Sequence, residues 1–108
     1  MSPVPATASV SVGQVPVRLA ITPDGDSVYV TDAGPNEVSV ISTANNTVTA
    51  TIPVGDDPVD VVFDLNGTHA YLTNAGSNAD SVSVINTSSA AVVATMPVGA
   101  NPTFAAVF

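Results

Sequence analysis

Short apolar segments separated by polar turn residues run along the whole chain. The segment 16–22 is almost continuously apolar, which predicts a strand buried on both faces. A Pro-Asp-Gly turn at 23–25 separates it from a predicted strand at 27–31, where valines alternate with other residues. Further strands are predicted at 37–42 and 47–54, because both segments are rich in Val, Ile and Thr. The pattern therefore predicts four consecutive strands.

The fourth predicted strand also indicates its place in a sheet. Pro53 cannot donate a ladder hydrogen bond, and Pro97 repeats this feature later in the chain, so the strand is expected at a sheet edge. The continuously apolar first strand is then expected at the opposite, inner edge. The apolar residues of the fourth strand alternate with threonines and are expected to share one face, namely Val48, Ala50, Ile52 and Val54.

The four-strand pattern occurs twice. A Gly-x-x-Pro motif begins at Gly13, Gly55 and Gly99, with spacings of 42 and 44 residues. Segments 13–54 and 55–98 align throughout, and both contain Val-Ser-Val-Ile in the third predicted strand. The chain is therefore an internal repeat, which points to a repetitive architecture.

A period near 40–45 residues with four strands per repeat is typical of a β-propeller blade. We predict an all-β fold with two complete four-stranded antiparallel blades at 13–54 and 55–98. Residues 1–12 are expected to supply the outer strand of a preceding blade, and 99–108 the inner strand of a following blade. A β-sandwich is the alternative, but it gives no reason for the second half to repeat the first. Two extra residues of the second copy fall within 76–81, which predicts a loop there.

Three elements of the first copy carry a resemblance to a known family. They are Ser-Val-Tyr-Val-Thr-Asp at 27–32, Asn-Glu-Val-Ser-Val-Ile-Ser at 36–42 and Thr-Val-Thr-Ala-Thr-Ile-Pro-Val-Gly at 47–55. These elements resemble the repeats of the YVTN family of β-propellers, and the likeness extends over nearly the whole chain. The second copy departs from the family pattern at 64–67 and at Leu72.

Members of that family are similar in fold more than in activity, and they occur in surface-layer and secreted proteins of archaea and bacteria. The resemblance therefore implies an extracellular or cell-surface protein that serves as a structural or interaction module with a binding rim. It carries over no catalytic residue, so we expect no enzyme activity. The alternative is a piece of a propeller enzyme, lactonase-like or dehydrogenase-like, whose site needs further blades. The partner, a protein or a cell-surface component, is not specified.

The charge balance narrows the classes of partner. The formal net charge is −8, and Arg18 is the only Lys or Arg in the chain. Phosphate contacts need Lys or Arg, so the composition argues against nucleic acid binding. There is no cysteine, which excludes disulfides and thiolate chemistry. No apolar run is long enough to span a bilayer, so membrane insertion is not expected.

Two blades do not close a propeller, which typically needs four to eight. The chain is then either a piece of a longer protein or a unit that assembles into a ring. In both cases an apolar sheet face is left open at each end of the blade pair. We therefore expect self-association through exposed blade faces.

Four residues are candidates for a rim or channel site. Arg18 and Asp60 share one repeat position with Phe104 on successive inner strands, so they are expected near a central channel, where Arg18 and Asp60 can pair. Asp56 and Asp57 precede the second inner strand and form an acidic cluster with Asp60. This cluster is interpreted as a solvated loop, with a weak cation site as the alternative.

The remaining candidates favour structural roles. His69 is the only histidine and is predicted to be an exposed hairpin residue. The segments 24–26 and 64–67 faintly resemble calcium loops, but each stands where a hairpin turn is required and lacks the full set of oxygen ligands. No cofactor is predicted, and calcium is the weak alternative. Tyr29 and Tyr71 share one repeat position and are expected to be packing residues.

Overall fold

Eight strands form two separate four-stranded antiparallel sheets in the computed structural model, which describes residues 9–76 and 79–97. The first sheet contains β1 (Pro16–Ile21), β2 (Ser27–Asp32), β3 (Glu37–Ser42) and β4 (Thr47–Pro53). The second contains β5 (Pro58–Phe63), β6 (His69–Gly76), β7 (Ala79–Asn86) and β8 (Ala91–Pro97). Within each sheet the strands follow chain order, so β4 and β8 lie at edges. The predicted all-β fold and the edge positions of the two proline-containing strands are confirmed.

The hydrophobic core lies between the two sheets. One face of the first sheet packs against one face of the second, and we call this contact the inter-sheet interface. Tyr29 is 2% exposed, and its ring meets the ring of Phe63 edge-on at a centroid distance of 4.9 Å. Removing such side chains from water is the main stabilising term, at about 1.5–3 kcal/mol for each large apolar side chain. The buried residues of the interface are Tyr29, Val38, Val40 and Ile52 from the first sheet and Val61, Ala70, Leu72 and Ile85 from the second.

Strand β1 is exposed, contrary to the expectation that it is buried on both faces. Leu19 is 64% exposed and Ile21 is 58% exposed. The equivalent strand β5 is more buried because it contacts β1 and β2 of the first sheet. Among the described residues no sheet covers the other side of the first sheet. We call that side the open face, and its apolar residues are Val17, Leu19, Ile21, Val28, Val30, Ile41 and Val48.

A β-bulge between β3 and β4 changes the face on which Val48 lies. Val40 pairs with Ala50, whereas Ile41 pairs with Val48, so Thr49 is the extra residue. Neighbouring residues of β3 point to opposite faces, and Val48 therefore shares the open face with Ile41. The expectation that Val48 lies on the same face as Ala50 is wrong. The second sheet repeats this bulge between Val84 and Ile85.

The two-residue insertion of the second copy lengthens a hairpin. Ala75 pairs with Asp80 and Gly76 with Ala79, so β6 and β7 extend beyond their counterparts in the first sheet. The prediction of a loop over the whole of 76–81 is therefore wrong, since added ladder pairs absorb the extra residues. Residues 9–12 of the predicted outer strand are described and form no strand, because no described neighbour pairs with them. The predicted inner strand at 99–108, with Phe104, lies outside the described residues.

Val15 has an unfavourable backbone conformation that a substitution should relieve. Its φ is +53°, in the left-handed region that β-branched residues avoid, and Asp57 adopts φ +53° at the equivalent position. Val15 is 61% exposed, so little packing is lost when it is replaced. We expect Val15→Asn to stabilise the protein by about 1 kcal/mol, because Asn tolerates this region at lower cost.

The midpoint of urea unfolding, followed by circular dichroism, measures this effect. Val17→Asn is the matched control, because Val17 is also exposed but does not have a positive φ. A gain in stability for Val17→Asn equal to that for Val15→Asn would mean that surface polarity, and not backbone strain, is responsible.

Candidate functional site at the linker rim

The loops of both sheets gather at two opposite ends of the strands. We call one end the linker rim, which comprises 13–15, 33–36 and 54–57 together with the end of β6 and the start of β7. We call the other end the turn rim, which comprises the hairpin turns 22–26, 43–46, 64–68 and 87–90. At the turn rim the Thr43 N–H donates to the Asp26 carbonyl, and the Thr87 N–H donates to the Thr68 carbonyl, so neighbouring turns of one sheet are joined.

Asn36 organises the linker rim. Its Nδ2 donates to Asp56 Oδ1 at 2.9 Å, and its Oδ1 accepts the Asp57 N–H at 2.9 Å. The Asn36 carbonyl also accepts the Val54 N–H at 3.0 Å. Asn36 has φ +59°, a conformation that Asn tolerates better than most residues. One side chain therefore fastens the connection between the two sheets to the β2–β3 loop.

The same loop geometry occurs at both inner-strand connections. The Ala75 N–H donates to the Asp57 carbonyl at 3.0 Å, as the Ala33 N–H donates to the Val15 carbonyl at 2.9 Å. Asp56 and Asp57 are both exposed. The structure thus brings these two predicted residues together at one rim, and the Asn36 amide sets their position.

The predicted Arg18–Asp60 ion pair stays a prediction. The two residues occupy equivalent positions of β1 and β5, strands that contact each other. The Arg18 side chain is exposed, and its backbone N–H and carbonyl both bond to the Thr31 hydroxyl. Asp60 is half-buried and accepts the Val61 N–H at 2.9 Å. A contact between a carboxylate and a basic side chain that the structure shows is Asp64 with His69.

Two buried polar residues lie at the strand ends next to the linker rim. Asp32 and Asn74 are both 0% exposed at equivalent ends of β2 and β6. The Ser39 hydroxyl donates to Asp32 Oδ2 at 2.5 Å. Asn74 Nδ2 donates to the Ser81 hydroxyl at 3.1 Å and the Ser83 hydroxyl at 2.9 Å. The other oxygen of each side chain, Asp32 Oδ1 and Asn74 Oδ1, is buried without a hydrogen-bond partner among the described residues. The bonds to Ser39, Ser81 and Ser83 therefore matter for holding the strand ends that carry the rim loops.

The turn rim uses its carboxylates to close turns. Asp24 Oδ1 accepts the Thr22 hydroxyl at 2.6 Å and the Asp26 N–H at 2.9 Å. Asp64 accepts the Thr68 hydroxyl at 2.7 Å and the Thr68 N–H at 2.8 Å, and His69 Nδ1 lies 3.3 Å from its Oδ2. These bonds match the interpretation of both segments as turns. Within 9–76 and 79–97, no three His, Cys, Asp or Glu residues cluster as metal ligands would.

The Asp64 bonds predict a pH-dependent contribution to stability. The Thr68 hydroxyl, with lesser help from neighbouring groups, holds the pKa of Asp64 below its ordinary value. A carboxyl with a lowered folded-state pKa stabilises the fold above its unfolded-state pKa, and this contribution is lost as the pH falls through the folded-state pKa. We expect Thr68→Val to return the pKa of Asp64 towards its ordinary value.

A carboxyl-carbon NMR titration of both proteins measures this shift. Asp24 is the internal control, because its pKa is lowered by the Thr22 hydroxyl and should not respond to Thr68→Val. An unchanged Asp64 titration in the variant would contradict the assigned cause.

A small polar groove of about 260 Å³ lies beside the turn rim, where the two sheets meet. Tyr29 contributes to its wall, and burial raises the pKa of the Tyr29 phenol. Tyr29 is therefore a packing residue, as predicted, and it also forms part of the wall of this polar groove. The groove residues are Thr22, Asp24, Ser27, Tyr29, Gly67, Thr87 and Ser88.

Sequence reasoning missed Asn36 and Asn74, the two amides that position the linker rim. Asn36 follows Gly34-Pro35, and an Asn after such a pair is a signal for a turn with a left-handed residue. Asn74 aligns with Asp32, so a polar residue recurs where the alternation expects burial. That recurrence was a usable signal for a buried polar network.

Comparison with solved structures identifies the class of fold. The chain is similar to hydrazine synthase of Kuenenia stuttgartiensis, with a TM-score of 0.80 and 22% identity over 95% of this chain and 29% of that chain. It is similar to AztD of Citrobacter koseri, with a TM-score of 0.73 and 14% identity over 88% of this chain and 27% of that one. The WD40 repeats of RRP9 match with a TM-score of 0.67 and 12% identity over 77% of this chain and 26% of that one.

These similarities, with the two repeated sheets, define the chain as β-propeller blades in a partial propeller. At such identities they show the fold alone. The chain spans less than a third of the length of each of these structures. No family model matches the chain, and no curated protein matches it in sequence. In the part of the chain that the structure describes, no helix has the length and apolar character needed to cross a membrane.

Proposed function

We propose that this chain is a structural and interaction module, built from YVTN-type propeller blades of a secreted or cell-surface protein, and that its linker rim contacts the partner. The observation that carries this proposal is the Asn36 amide, which holds Asp56 and Asp57 in one arrangement relative to both sheets. A rim that is already ordered loses less conformational entropy on binding. The resemblance of the repeats to the YVTN family supports the extracellular setting.

The charge of the linker rim supports a cationic partner surface. The Asp57 carboxylate is exposed and accepts no hydrogen bond from the described residues, so it keeps its capacity for a partner. At the turn rim, Asp24 and Asp64 already accept bonds that close their turns, and Asp26 is the exposed carboxylate there that accepts none from the described residues. With a net charge of −8, long-range attraction also speeds association with a basic surface.

A binding role agrees better with the geometry than a catalytic one. His69, a common general base, belongs to the turn rim and pairs with Asp64. It therefore lies at the opposite end of the strands from Asp56 and Asp57. An enzyme of the lactonase or dehydrogenase type would need converging groups from further blades.

A titration with a short oligo-arginine peptide, followed by amide NMR shifts, tests the rim assignment. We expect shifts concentrated at 33–37 and 54–57, which weaken with added salt. The double variant Asp56→Asn, Asp57→Asn should lose most of them while the fold is retained, and an oligo-glutamate peptide should cause none. Equal shifts at both rims would mean attraction by net charge alone and would overturn the assignment.

The location is tested separately with antibodies raised against this chain. Labelling of intact cells of the source organism, or detection in its culture medium, is the expected result. Recovery from the cytoplasmic fraction alone would overturn the extracellular part of the proposal and leave the rim assignment standing.

A further inference from the structure

The open face of the first sheet is a continuous apolar surface. Leu19 is 64% exposed, Ile21 58%, Val17 44% and Val48 39%. A shallow depression of about 350 Å³ lies along β1 beside Val30. Contiguous exposed apolar surface of this kind marks an interaction site in a soluble protein.

The repeat shows what surface this face fits. The open-face positions recur in the second sheet as Val61, Phe63, Ala70, Leu72, Ile85 and Val92, and these residues lie in or against the inter-sheet core. They cover the Tyr29 face of the first sheet. Within the chain, the residues of the second sheet that are equivalent to the open face therefore already pack against a complementary face of the first sheet.

The complementary surface also recurs, on the side of the second sheet that faces away from the first. We call it the far face, and its residues are Val62, Tyr71, Val82, Val84, Ala94 and Met96, the counterparts of Ala20, Tyr29, Val38, Val40, Ala50 and Ile52. Met96 is 45% exposed, and Tyr71 and Val82 are half-buried. One chain thus carries both partners of the inter-sheet interface, each on a different sheet.

We propose that the open face of one copy binds the far face of a second copy, and that this contact repeats the packing of the inter-sheet interface. In it Ile21 takes the place of Phe63 and meets the ring of the second copy's Tyr71. The contact is head-to-tail, so each copy keeps one free face and further copies add until a ring closes. This inference does not rest on the linker rim.

The charges do not oppose such a contact. By the ladder register, the acidic residues of the open face are Asp32 and Glu37, which lie at the linker-rim ends of β2 and β3, and Asp32 is fully buried. On the far face, Asp60 lies on the edge strand β5. The remaining described carboxylates belong to the two rims or the strand ends beside them, away from the centres of both faces. Apolar burial therefore meets little electrostatic repulsion between copies of net charge −8.

Sedimentation velocity over a wide range of concentration tests the proposal. The wild-type chain should sediment as multiples of 10.7 kDa. Leu19→Asp, on the open face, should weaken association by about tenfold to a hundredfold. Leu65→Asp is the matched control, because Leu65 is 79% exposed at the turn rim and carries the same change of size and charge off the face.

A mixing experiment tests the head-to-tail geometry. Met96→Asp alters the far face. At a concentration where the wild type associates but the weakened contact does not form, Met96→Asp and Leu19→Asp should each be monomeric alone but form a one-to-one dimer when mixed, through the unaltered face of each. If the open face instead paired with another open face, Met96→Asp would associate like the wild type and the mixture would gain nothing. A wild-type chain that stays monomeric throughout would overturn the proposal. Circular dichroism confirms that each variant is folded.

Discussion

Tyr29→Ala should destabilise the protein by about 3–5 kcal/mol, whereas Tyr71→Ala should cost roughly half as much. Both residues occupy the same repeat position and the same ladder register, since Tyr29 pairs with Ala20 and Val40 and Tyr71 pairs with Val62 and Val84. They differ in burial. Tyr29 is 2% exposed within the inter-sheet interface, but Tyr71 is half-buried on the far face.

The cost at Tyr29 has two physical sources. Removing the ring leaves a cavity between sheets that cannot collapse easily, and it deletes the edge-on contact with Phe63 at 4.9 Å. Because small domains are stable by only about 5–15 kcal/mol, Tyr29→Ala can unfold much of the population. Tyr29→Phe keeps the ring and should stay within about 1 kcal/mol of the wild type, since only the hydroxyl beside the polar groove is lost.

Urea unfolding at low protein concentration measures the three variants. Low concentration is necessary because association through the far face would cover Tyr71. Equal losses for Tyr29→Ala and Tyr71→Ala under these conditions would contradict the assignment of the core to the inter-sheet interface.

Most of the fold was predictable because the repeat supplies the same information twice. The strands, their order and the edge prolines follow from period-two patterning and from Pro53 and Pro97, and the structure has them. The prediction from alternation was wrong for the face of Val48. A one-residue bulge reverses the faces of the residues beyond it, and a strand rich in Val and Thr contains no sequence signal for the bulge. The burial of β1 was wrong for a different reason. An apolar run shows that a strand is suited to burial, but the strand is buried only where a neighbouring sheet covers it, and no described sheet covers the open face beside β1.

The candidate site was predictable in part. The rim position of Asp56 and Asp57 follows from the loop that precedes β5. Their attachment to Asn36 is a contact between loops 20 residues apart, which no local pattern encodes. The networks at Asp32 and Asn74 were missed for a similar reason, since their partner hydroxyls belong to β3 and β7 and only the ladder register brings them together.

Gly55→Ala should destabilise the protein by about 1–3 kcal/mol, because the added methyl group has no space. A Cβ at Gly55 would lie 2.7 Å from Asn74 Nδ2 and 2.8 Å from its Cγ. Asn74 cannot move aside freely, since it is fully buried and its amide is held by the hydroxyls of Ser81 and Ser83. Gly13→Ala repeats the test in the first copy, where the Cβ would lie 2.9 Å from the Asp32 side chain.

A double-mutant cycle identifies the clash as the cause. Asn74→Ala alone leaves two buried hydroxyls without their partner, which costs about 1–3 kcal/mol. In the double variant the methyl group added at position 55 meets no amide. The loss of unfolding free energy should therefore be smaller than the sum of the two single losses by about 1 kcal/mol or more. Unfolding free energies from urea titrations give all four corners. Strictly additive losses would mean that Gly55→Ala acts through the linker backbone instead. In that case the buried Asn74 amide would not be what requires glycine at the start of the second repeat.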